Sequence, residues 1–508
     1  MNRTDCVIEI IGLLLLASCA RPHNGKLEQS DAAGTPTSSS AVTATDTTET
    51  PLDPTGPDEP SATDEPGATG ESSATGESAV VDDTSATTDD STGSGSVTDH
   101  SAAEDGSPGQ TSRDASAPEV SGGSSDAGTS DAGVAERGAS VFDRDRMHVV
   151  SISVAPEDLP SLDEHTDTRV KATLEFDGLA LGDVGIRNKG QTSFQPVAQK
   201  PGFSVKFDEF VAHQRLDGLK KLLLNNTTQD PTWCNETLTY ETYRRAGLPA
   251  PRIAFAVVTL NGEPKGIYSI GEAVNEQFLA RHYGKDMNDG NLYEGPWDFS
   301  DSVDAADLKD EVSEQRSKDD LRELQQIVQS EPDDGFAERL ATRLDVDQFL
   351  LGYAIDAVTV AWDGYAYDAW NYYLYDYPGD NRFLFLPAGA NWPYFRDAAD
   401  AAPTVDPRVL MSLWGGGKDP ASFLAGARVQ RIPSLDARFE AFVRDVTHDV
   451  FDVPALHADF DRIGDVIHSV DDPDAATKRD IDTFDSHVQM AYDFVEARKA
   501  YLVEQFPR

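Results

Sequence analysis

The 508-residue sequence is poor in cysteine, in basic residues and in long apolar segments. With 3 cysteines and no CxxC pair, it has neither a disulfide framework nor the ligand spacing of a zinc site. Its 42 Lys and Arg are outnumbered by 89 Asp and Glu, which gives a formal net charge of -47. A general nucleic-acid binder needs a basic surface to neutralise phosphates, so we expect no nucleic acid among the partners.

Motifs that identify several common enzyme classes are also absent. The sequence has no HExxH, no GxSxG, no Rossmann glycine set and no Walker A loop. Zinc peptidases, α/β-hydrolases, dinucleotide-binding enzymes and P-loop NTPases are therefore not indicated. A lipid-anchored hydrolase that uses paired carboxylates, for example on polysaccharide, stays open, but no local motif selects such a pair among the many acids.

The N-terminal segment predicts a lipoprotein signal peptide over residues 1–19. The apolar run at 7–16 is too short to cross a membrane but has the length of a signal-peptide core. It ends in LASC, which resembles a bacterial lipobox and implies cleavage before Cys19 and lipidation of that residue. We therefore expect an extracytoplasmic protein that meets the bacterial membrane, at the outer membrane or cell surface, through its lipid anchor only. Two acidic residues weaken this signal, so cleavage at another site stays open.

Residues 20–140 predict a disordered linker. This stretch consists almost entirely of Ser, Thr, Asp, Glu, Gly, Ala and Pro, in runs such as SGGSSDAGTSDAG. Such a composition lacks the apolar side chains whose burial would offset the entropy lost when the chain becomes ordered. We expect the segment to act as an acidic, extended tether between the anchor and the folded part.

Residues 141–508 predict a folded α+β domain. Alternating apolar and polar residues indicate strands over a first part, about 141–275, and helical spacing dominates a second part, about 276–508. The Asn-Gly pair at 261–262 lies between two strand-like runs and predicts a hairpin turn. A β-rich lobe followed by a helical lobe is an α+β plan that protein kinases share.

Four residues next to a predicted helix are interpreted as structural. Asn225, Asn226 and Asp230, in NNTTQDPT, have the character of turn and helix-capping residues. Cys234 follows in PTWCNET, and no neighbouring base activates it. We interpret it as a buried small side chain rather than a nucleophile, and the loss of Cys6 with the leader leaves it without an internal disulfide partner.

Several stretches, in order, resemble the CotH kinase family. They include VGIRNKGQTSF, KPGFSVKFDEF, VTLNGEPKGIYSIGEAV and WDGYAYDAWNYYLYDYPGDNRFLFLP, and the similarity extends from about Met147 to Phe395. No single stretch is specific, but their order over this length identifies the family. The resemblance implies an atypical protein-kinase-like fold, with ATP and Mg²⁺ as cofactors and secreted, surface or coat proteins as phosphoryl acceptors.

The resemblance also implies a set of nucleotide-binding residues. Lys206, in FSVKF, resembles the phosphate-binding lysine on a kinase strand, and Lys200 at the head of the same segment is the other candidate. Arg187 and Lys189, in IRNKGQTSF, would close over phosphates together with backbone N–H groups. Glu272 matches the family's acidic position between the lobes. Each lysine alone better suits a solvated strand edge, and the IRNKGQTSF loop alone better suits an ordinary hairpin turn. Glu272 would equally suit a structural salt bridge.

Three further residues concern catalysis and metal binding. By resemblance, Asp363 is the catalytic acid and Asn371 a metal ligand; their separation differs from that of the usual kinase catalytic loop. After FLFLP the family has an Asp that binds metal, whereas this sequence has Asn391. Because Mg²⁺ is held chiefly by carboxylates, a neutral amide there should weaken metal binding. Two interpretations follow: an impaired protein kinase, or a pseudokinase that serves as a surface binding or scaffold lipoprotein.

Overall fold

The computed structural model describes residues 136–164, 168–295, 303, 306–309, 317–368, 371–390, 402–408 and 426–508. The predicted leader with Cys19, most of the predicted linker, and Asn391 lie outside these residues. None of the helices in the described part is both long enough and apolar enough to cross a membrane.

Seven strands form a closed barrel in the first half of the described chain. They are β1 (Met147–Val154), β2 (Val170–Phe176), β3 (Leu179–Lys189), β4 (Gly202–Lys206), β5 (Lys221–Asn225), β6 (Ile253–Leu260) and β7 (Glu263–Glu272). Their order around the barrel is β1-β2-β3-β4-β5-β7-β6. All neighbouring pairs are antiparallel except β1 and β6, whose parallel pairing closes the barrel.

The alternating sequence pattern explains why these segments form a barrel. In β1, Val150, Ile152 and Val154 are buried inside, whereas Val149 and Ser153 are exposed. The same period-two pattern in β2 gives an interior filled with branched and aromatic side chains. The predicted Asn-Gly turn is confirmed, because both of its residues have positive φ and join β6 to β7 in an antiparallel hairpin.

Helices and a second, four-stranded sheet form the rest of the described chain. The strands are β8 (Leu292–Glu294), β9 (Asp307–Leu308), β10 (Tyr372–Tyr377) and β11 (Arg382–Pro387), in the order β11-β10-β8-β9. The α-helices are α1 (Asn235–Arg245), α2 (Glu276–Tyr283), α3 (Asp319–Ser330), α4 (Phe336–Leu340), α5 (Val346–Thr359), α6 (Tyr365–Asp368), α7 (Gly426–Arg431), α8 (Pro433–Asp445), α9 (Val453–His468) and α10 (Ala475–Gln505). Short 3-10 turns occupy Leu159–Asp163, Lys285–Met287 and Ala402–Thr404, and a π-helical turn occupies Val446–Val450. The α+β class predicted from the sequence is confirmed.

Two buried aspartates join the helices to the barrel. Asp480 of α10 accepts hydrogen bonds from Lys200 Nζ and from the backbone N–H of Ile267 in β7, both at 2.7 Å. Asp459 of α9 accepts from Arg144, ahead of the barrel, at 2.9 Å, and from Arg245 at the end of α1. Because buried carboxylates are stable only when they are paired in this way, Asp480 attaches α10 to β7 and Asp459 attaches α9 to the end of α1.

Among the described residues, contacts with the barrel are present from Glu136 onward, a few residues before the predicted domain start. The backbone N–H of Gly138 donates to the Asp217 carbonyl at 2.8 Å, and the Ser140 hydroxyl donates to the Asp217 carboxylate at 2.6 Å. Glu136 itself forms an ion pair with Arg252 at 3.2 Å. The end of the low-complexity segment is therefore attached to the barrel by hydrogen bonds that composition alone does not predict.

Candidate functional site

A lysine on the outer face of the barrel is the first component of the site. Arg187 and Lys189 both point outward from β3. The alternate residues of this strand, Ile186 and Asn188, are buried and face the interior. The Lys189 Nζ donates to Asn225 Oδ1 of β5 at 2.5 Å. Desolvation of the half-buried Lys189 lowers its pKa to about 8, and the nearby charges of Arg187 and Lys221 act in the same direction.

Glu236, in the first turn of α1, completes the network around Lys189. Its carboxylate accepts from Asn225 Nδ2 at 2.9 Å and from the Ser269 hydroxyl of β7 at 2.5 Å. Burial raises the pKa of Glu236, while these two hydrogen bonds and the charge of Lys189 oppose that rise. A lysine and an acid thus lie on either side of Asn225, so the acid orients the lysine through a shared amide.

Glu236 was missed by the sequence analysis for a physical reason. An acid in the first helical turn is commonly a partner of the helix dipole at the surface. Glu241 on the same helix forms ion pairs with Arg144 and Arg244, at 2.6 and 2.7 Å. Both acids are buried, and nothing in the helical pattern distinguishes Glu236 from the ion-paired Glu241.

Of the three predicted turn and capping residues, Asp230 binds the first turn of α1, although the N-cap position itself is Cys234, which forms no side-chain cap. Asn225 instead binds Lys189 and Glu236, so the capping interpretation of that residue is wrong. Asp230 accepts from the Thr232 hydroxyl at 2.6 Å and from the backbone N–H groups of Thr232 and Asn235 at 3.0 Å. Burial raises the pKa of Asp230 to about 6. Cys234 is buried as predicted, and burial raises the pKa of its thiol, so no thiolate forms at this helix end.

The loop after Lys189 is attached to the segment that precedes α1. Asn226 Nδ2 donates to the carbonyls of Ser193 and Lys200, at 2.9 and 2.8 Å. Gly190 has a φ of 109°, and a side chain there would meet the Ser193 hydroxyl at 2.5 Å. This left-handed glycine lets the chain leave β3 and fold back beside Asn226. Asn226 therefore holds both ends of the loop rather than forming a simple turn.

The other predicted nucleotide-binding residues lie apart from Lys189 in separate ion pairs. Lys200 binds Asp480, and its ammonium group lies over the rings of Trp233 and Tyr268, with 5.5 and 5.3 Å to the ring centroids. Lys206 forms an ion pair with Glu209 at 3.2 Å. It lies at one end of β4, whereas Gly202, which pairs with Lys189, lies at the other end.

Glu272 lies at the end of β7, where it binds two arginines. Arg252 donates to it at 2.8 Å and Arg281 of α2 donates at 2.6 Å. This arrangement is the structural ion pair that was one of the two interpretations of Glu272. It joins α2 to the barrel.

The second component of the site is a pair of loops. One follows the C-terminus of α5, and the other follows the C-terminus of β11. Asn371 Nδ2 donates to the backbone carbonyl of Asp363 at 2.7 Å, and the Asn371 carbonyl accepts from the backbone N–H of Ala388 at 2.9 Å. Gly389 has a φ of 53°, and a Cβ there would lie 2.7 Å from the side chain of Asn371. The structure therefore brings Asp363, Asn371 and the segment that leads to Asn391 together.

Helix α1 contacts both components of the site. Glu236 binds the Lys189 network, and one turn later the Tyr240 hydroxyl accepts from the backbone N–H of Ala390 at 3.4 Å. Residues four apart on a helix lie on the same face. One face of α1 therefore lies between the cationic side of the barrel and the loops that carry Asp363 and Asn371.

Metal binding rests on few described side chains. The two positions that the resemblance implies as ligands hold amides, Asn371 and Asn391, and the second lies outside the described residues. Across the described ranges, no group of three or more His, Cys, Asp or Glu side chains is placed to hold a metal ion. Mg²⁺ is usually bound by one or two carboxylates together with substrate phosphates. The described donors by themselves therefore fit a Mg²⁺ ion weakly.

These features define a class: an α+β protein in which one helix connects a lysine on a β-barrel to a loop with an aspartate and an asparagine. Residues 186–502 match the family model described as CotH kinase protein. That match covers more than half of the sequence, so the chain belongs to the CotH kinase protein family.

Two curated proteins of Bacillus subtilis (strain 168) are similar to this chain. The inner spore coat protein H is 23% identical over 382 residues, which span 69% of this chain and 94% of the relative. The inner spore coat protein H-like protein is 27% identical over 154 residues, which span 30% of this chain and 43% of the relative. The family identified from the ordered motifs is thereby confirmed.

Proposed function

We propose that this protein binds the phosphates of ATP at Lys189 and transfers the γ-phosphoryl group to a hydroxyl of another protein. The observation that carries the proposal is the placement of α1, whose Glu236 and Tyr240 contact the Lys189 network and the Asn371–Ala390 loops, respectively. Phosphoryl transfer depends mainly on positioning and on charge neutralisation. A lysine linked through Asn225 to a helical glutamate, on a helix that also contacts the Asp–Asn loop, supplies both, and it resembles the lysine–glutamate pair of protein kinases.

The chemistry assigns one role to each group. Lys189 binds phosphate oxygens, and Asn225 and Glu236 hold its ammonium group in place. The acceptor hydroxyl oxygen bonds to the γ-phosphorus as the bond from that phosphorus to the β–γ bridging oxygen breaks, and ADP leaves with the electron pair. Asp363 takes the hydroxyl proton. Asn371 would hold a Mg²⁺ ion, and that ion would neutralise phosphate charge.

Nucleotide binding is expected to weaken as the pH rises. The pKa of Lys189 is lowered to about 8, so its ammonium charge is present below that pH and is lost above it. Because only the charged form attracts phosphates, the affinity for Mg-ATP should fall about tenfold between pH 7 and pH 9. Titration with a fluorescent ATP analogue at each pH measures this.

A matched variant separates Lys189 from other titrating groups. Lys189→Arg keeps its positive charge throughout this range and should bind with an affinity that varies little with pH. An equally steep pH profile in Lys189→Arg and in wild type would assign the effect to another group.

A pseudokinase is the second candidate function, and Asn391 is the observation that favours it. Replacement of the expected carboxylate by an amide removes a negative charge that Mg²⁺ requires. The same fold would then serve as a binding or scaffold module on the cell envelope.

Asn391→Asp tests which candidate is right. It should tighten Mg²⁺-dependent binding of ATP and raise phosphoryl transfer, because a carboxylate neutralises the metal charge and an amide cannot. Asp363→Ala in the Asn391→Asp background should abolish the gain. Radiolabel transfer from γ-labelled ATP and nucleotide titration provide the two readouts.

Two results would change the assignment. Strong wild-type transfer that Asn391→Ala leaves intact would show that another acid holds the metal. Absence of nucleotide binding in both the wild type and Asn391→Asp would reject the kinase function and leave the scaffold function alone.

The proposed location is the cell envelope. A lipid on Cys19 and the acidic segment at 20–140 would hold the folded part at a distance from the membrane. The relatives are named as spore coat proteins, which supports a surface or coat protein as the phosphoryl acceptor.

A further inference from the structure

A buried carboxyl outside the predicted site lies directly beneath the turn that carries Asp363. Asp356, in the last helical turns of α5, is only 4% exposed. It accepts from the backbone N–H groups of Tyr365 and Ala366, at the start of α6. Its backbone carbonyl accepts from the N–H of Ala361 at 3.0 Å. Asp356 therefore binds the chain on both sides of Asp363.

The turn is tightly packed around this carboxyl. A Cβ at Gly364 would lie 2.9 Å from Asp356 Oδ2 and 3.0 Å from the carbonyl of Ala361. Glycine is therefore needed next to Asp363, because any larger residue would push the turn away from the carboxyl. The close approach leaves the turn little freedom to shift.

Asp356 also connects the turn to α1. The Tyr243 hydroxyl lies 2.9 Å from Asp356 Oδ1 and 2.8 Å from the carbonyl of Gly352, and the tyrosine is fully buried. A tyrosine hydroxyl has one proton, so it donates to only one of these acceptors at a time. A neutral Asp356 would donate to the hydroxyl, and an ionised one would accept from it. Both forms keep the contact between α1 and the turn.

Three residues at successive turns of α1 thus contact three parts of the site. Glu236 binds Asn225 beside Lys189, Tyr240 binds Ala390, and Tyr243 binds Asp356. The spacing of four and three residues places them on one helix face. A shift of α1 would therefore disturb the lysine and the aspartate turn together.

We infer that Asp356 and Tyr243 form a positioning pair that sets the Asp363 turn and couples it to α1. This inference rests on the proposed phosphoryl transfer, in which Asp363 takes the proton of the acceptor. Small displacements of a catalytic group reduce rates strongly even when substrate binding is unchanged. The pair itself contacts neither nucleotide nor acceptor in this assignment.

The test compares two variants of Asp356 in the full-length protein. Asp356→Leu removes the acceptor for the Tyr365 and Ala366 amides, so we expect these amides to exchange with solvent at least tenfold faster. Phosphoryl transfer should fall at least tenfold, while the dissociation constant for Mg-ATP stays within twofold of wild type. Asp356→Asn can accept from the amides and donate to Tyr243, so it should behave as wild type in all three measurements.

A tyrosine pair provides a milder test in case Asp356→Leu does not fold. Tyr243→Phe removes only a hydroxyl and should lower transfer several-fold with the Mg-ATP dissociation constant unchanged. Tyr293→Phe is the matched control. Tyr293 lies in β8 of the second sheet, and its buried hydroxyl also donates to a carboxylate, that of Asp320, at 2.6 Å. It should leave transfer unchanged.

The results distinguish failure of the pair from failure of the proposed function. Wild-type exchange and transfer rates in Asp356→Leu, or equal losses in Tyr243→Phe and Tyr293→Phe, would overturn the positioning pair. A wild-type protein that transfers no phosphate, even as Asn391→Asp, would overturn the proposed function. In that case, amide exchange alone would show whether Asp356 holds the turn.

Discussion

Replacing Lys189 by methionine is expected to reduce the affinity for Mg-ATP by about 100-fold, or roughly 3 kcal/mol. Methionine keeps the apolar stem of the lysine and loses its charge. The partner Glu236 already has a raised pKa, so it can become neutral when the lysine is absent. The variant should therefore fold and lose phosphate binding selectively. Calorimetric titration of wild type and variant measures the difference.

Two other lysines serve as matched controls, because the sequence alone does not choose among them. Lys206→Met removes a half-buried ion pair with Glu209 and should leave the Mg-ATP affinity within twofold of wild type. Lys200→Met removes the bond to Asp480 and should lower thermal stability while nucleotide binding by the folded fraction persists. If either control loses binding while Lys189→Met keeps it, Lys189 is not the phosphate lysine.

Replacing Arg498 by methionine is expected to lower the free energy of unfolding by roughly 3–5 kcal/mol. This fully buried arginine of α10 donates to the carbonyls of Val358 and Ala357 at the end of α5, at 2.9 and 2.8 Å. It also donates to the carbonyls of Pro403 and Val405, at 3.0 and 2.5 Å. Buried carbonyls that lose such donors bear the full cost of desolvation.

Urea denaturation followed by circular dichroism measures this loss. Arg479→Met, at an exposed position of the same helix, should change the free energy of unfolding by less than about 0.5 kcal/mol. Arg498→Lys should also be destabilised, because one ammonium group cannot reach four carbonyls that a planar guanidinium serves. Equal stability of Arg498→Met and Arg479→Met would show that the four hydrogen bonds contribute little.

The parts of the fold that depend on neighbours in sequence could be predicted. The Asn-Gly hairpin follows from the φ values that its two residues tolerate, and the turn that leads into α1 follows from Asp230 placed ahead of a proline. The period of two in β1 and β2 predicts strands with one buried face. Closure of the barrel could not be predicted, because it rests on parallel pairing of β1 with β6, which no local pattern encodes.

The candidate site was predictable only in part. The proximity of Asp363 and Asn371 came from resemblance to a family, since their spacing alone indicates no known loop. Glu236 and Asp356 were missed because burial of an acid depends on what packs over its helix. In the local sequence, a buried acid looks the same as a solvated one.

The parallel seam between β1 and β6 also affects how the protein reaches its folded state. The paired residues Met147 and Phe255, like Ile152 and Leu260, are separated by more than a hundred positions in the chain. Contacts of such high sequence separation form late, because a long loop must first close. The barrel therefore cannot close until β6, and β7 which joins β6 to β5, have both been synthesised. Until then the open edge of β1 is exposed to pairing with other chains, so a chaperone at that stage should protect the protein from aggregation.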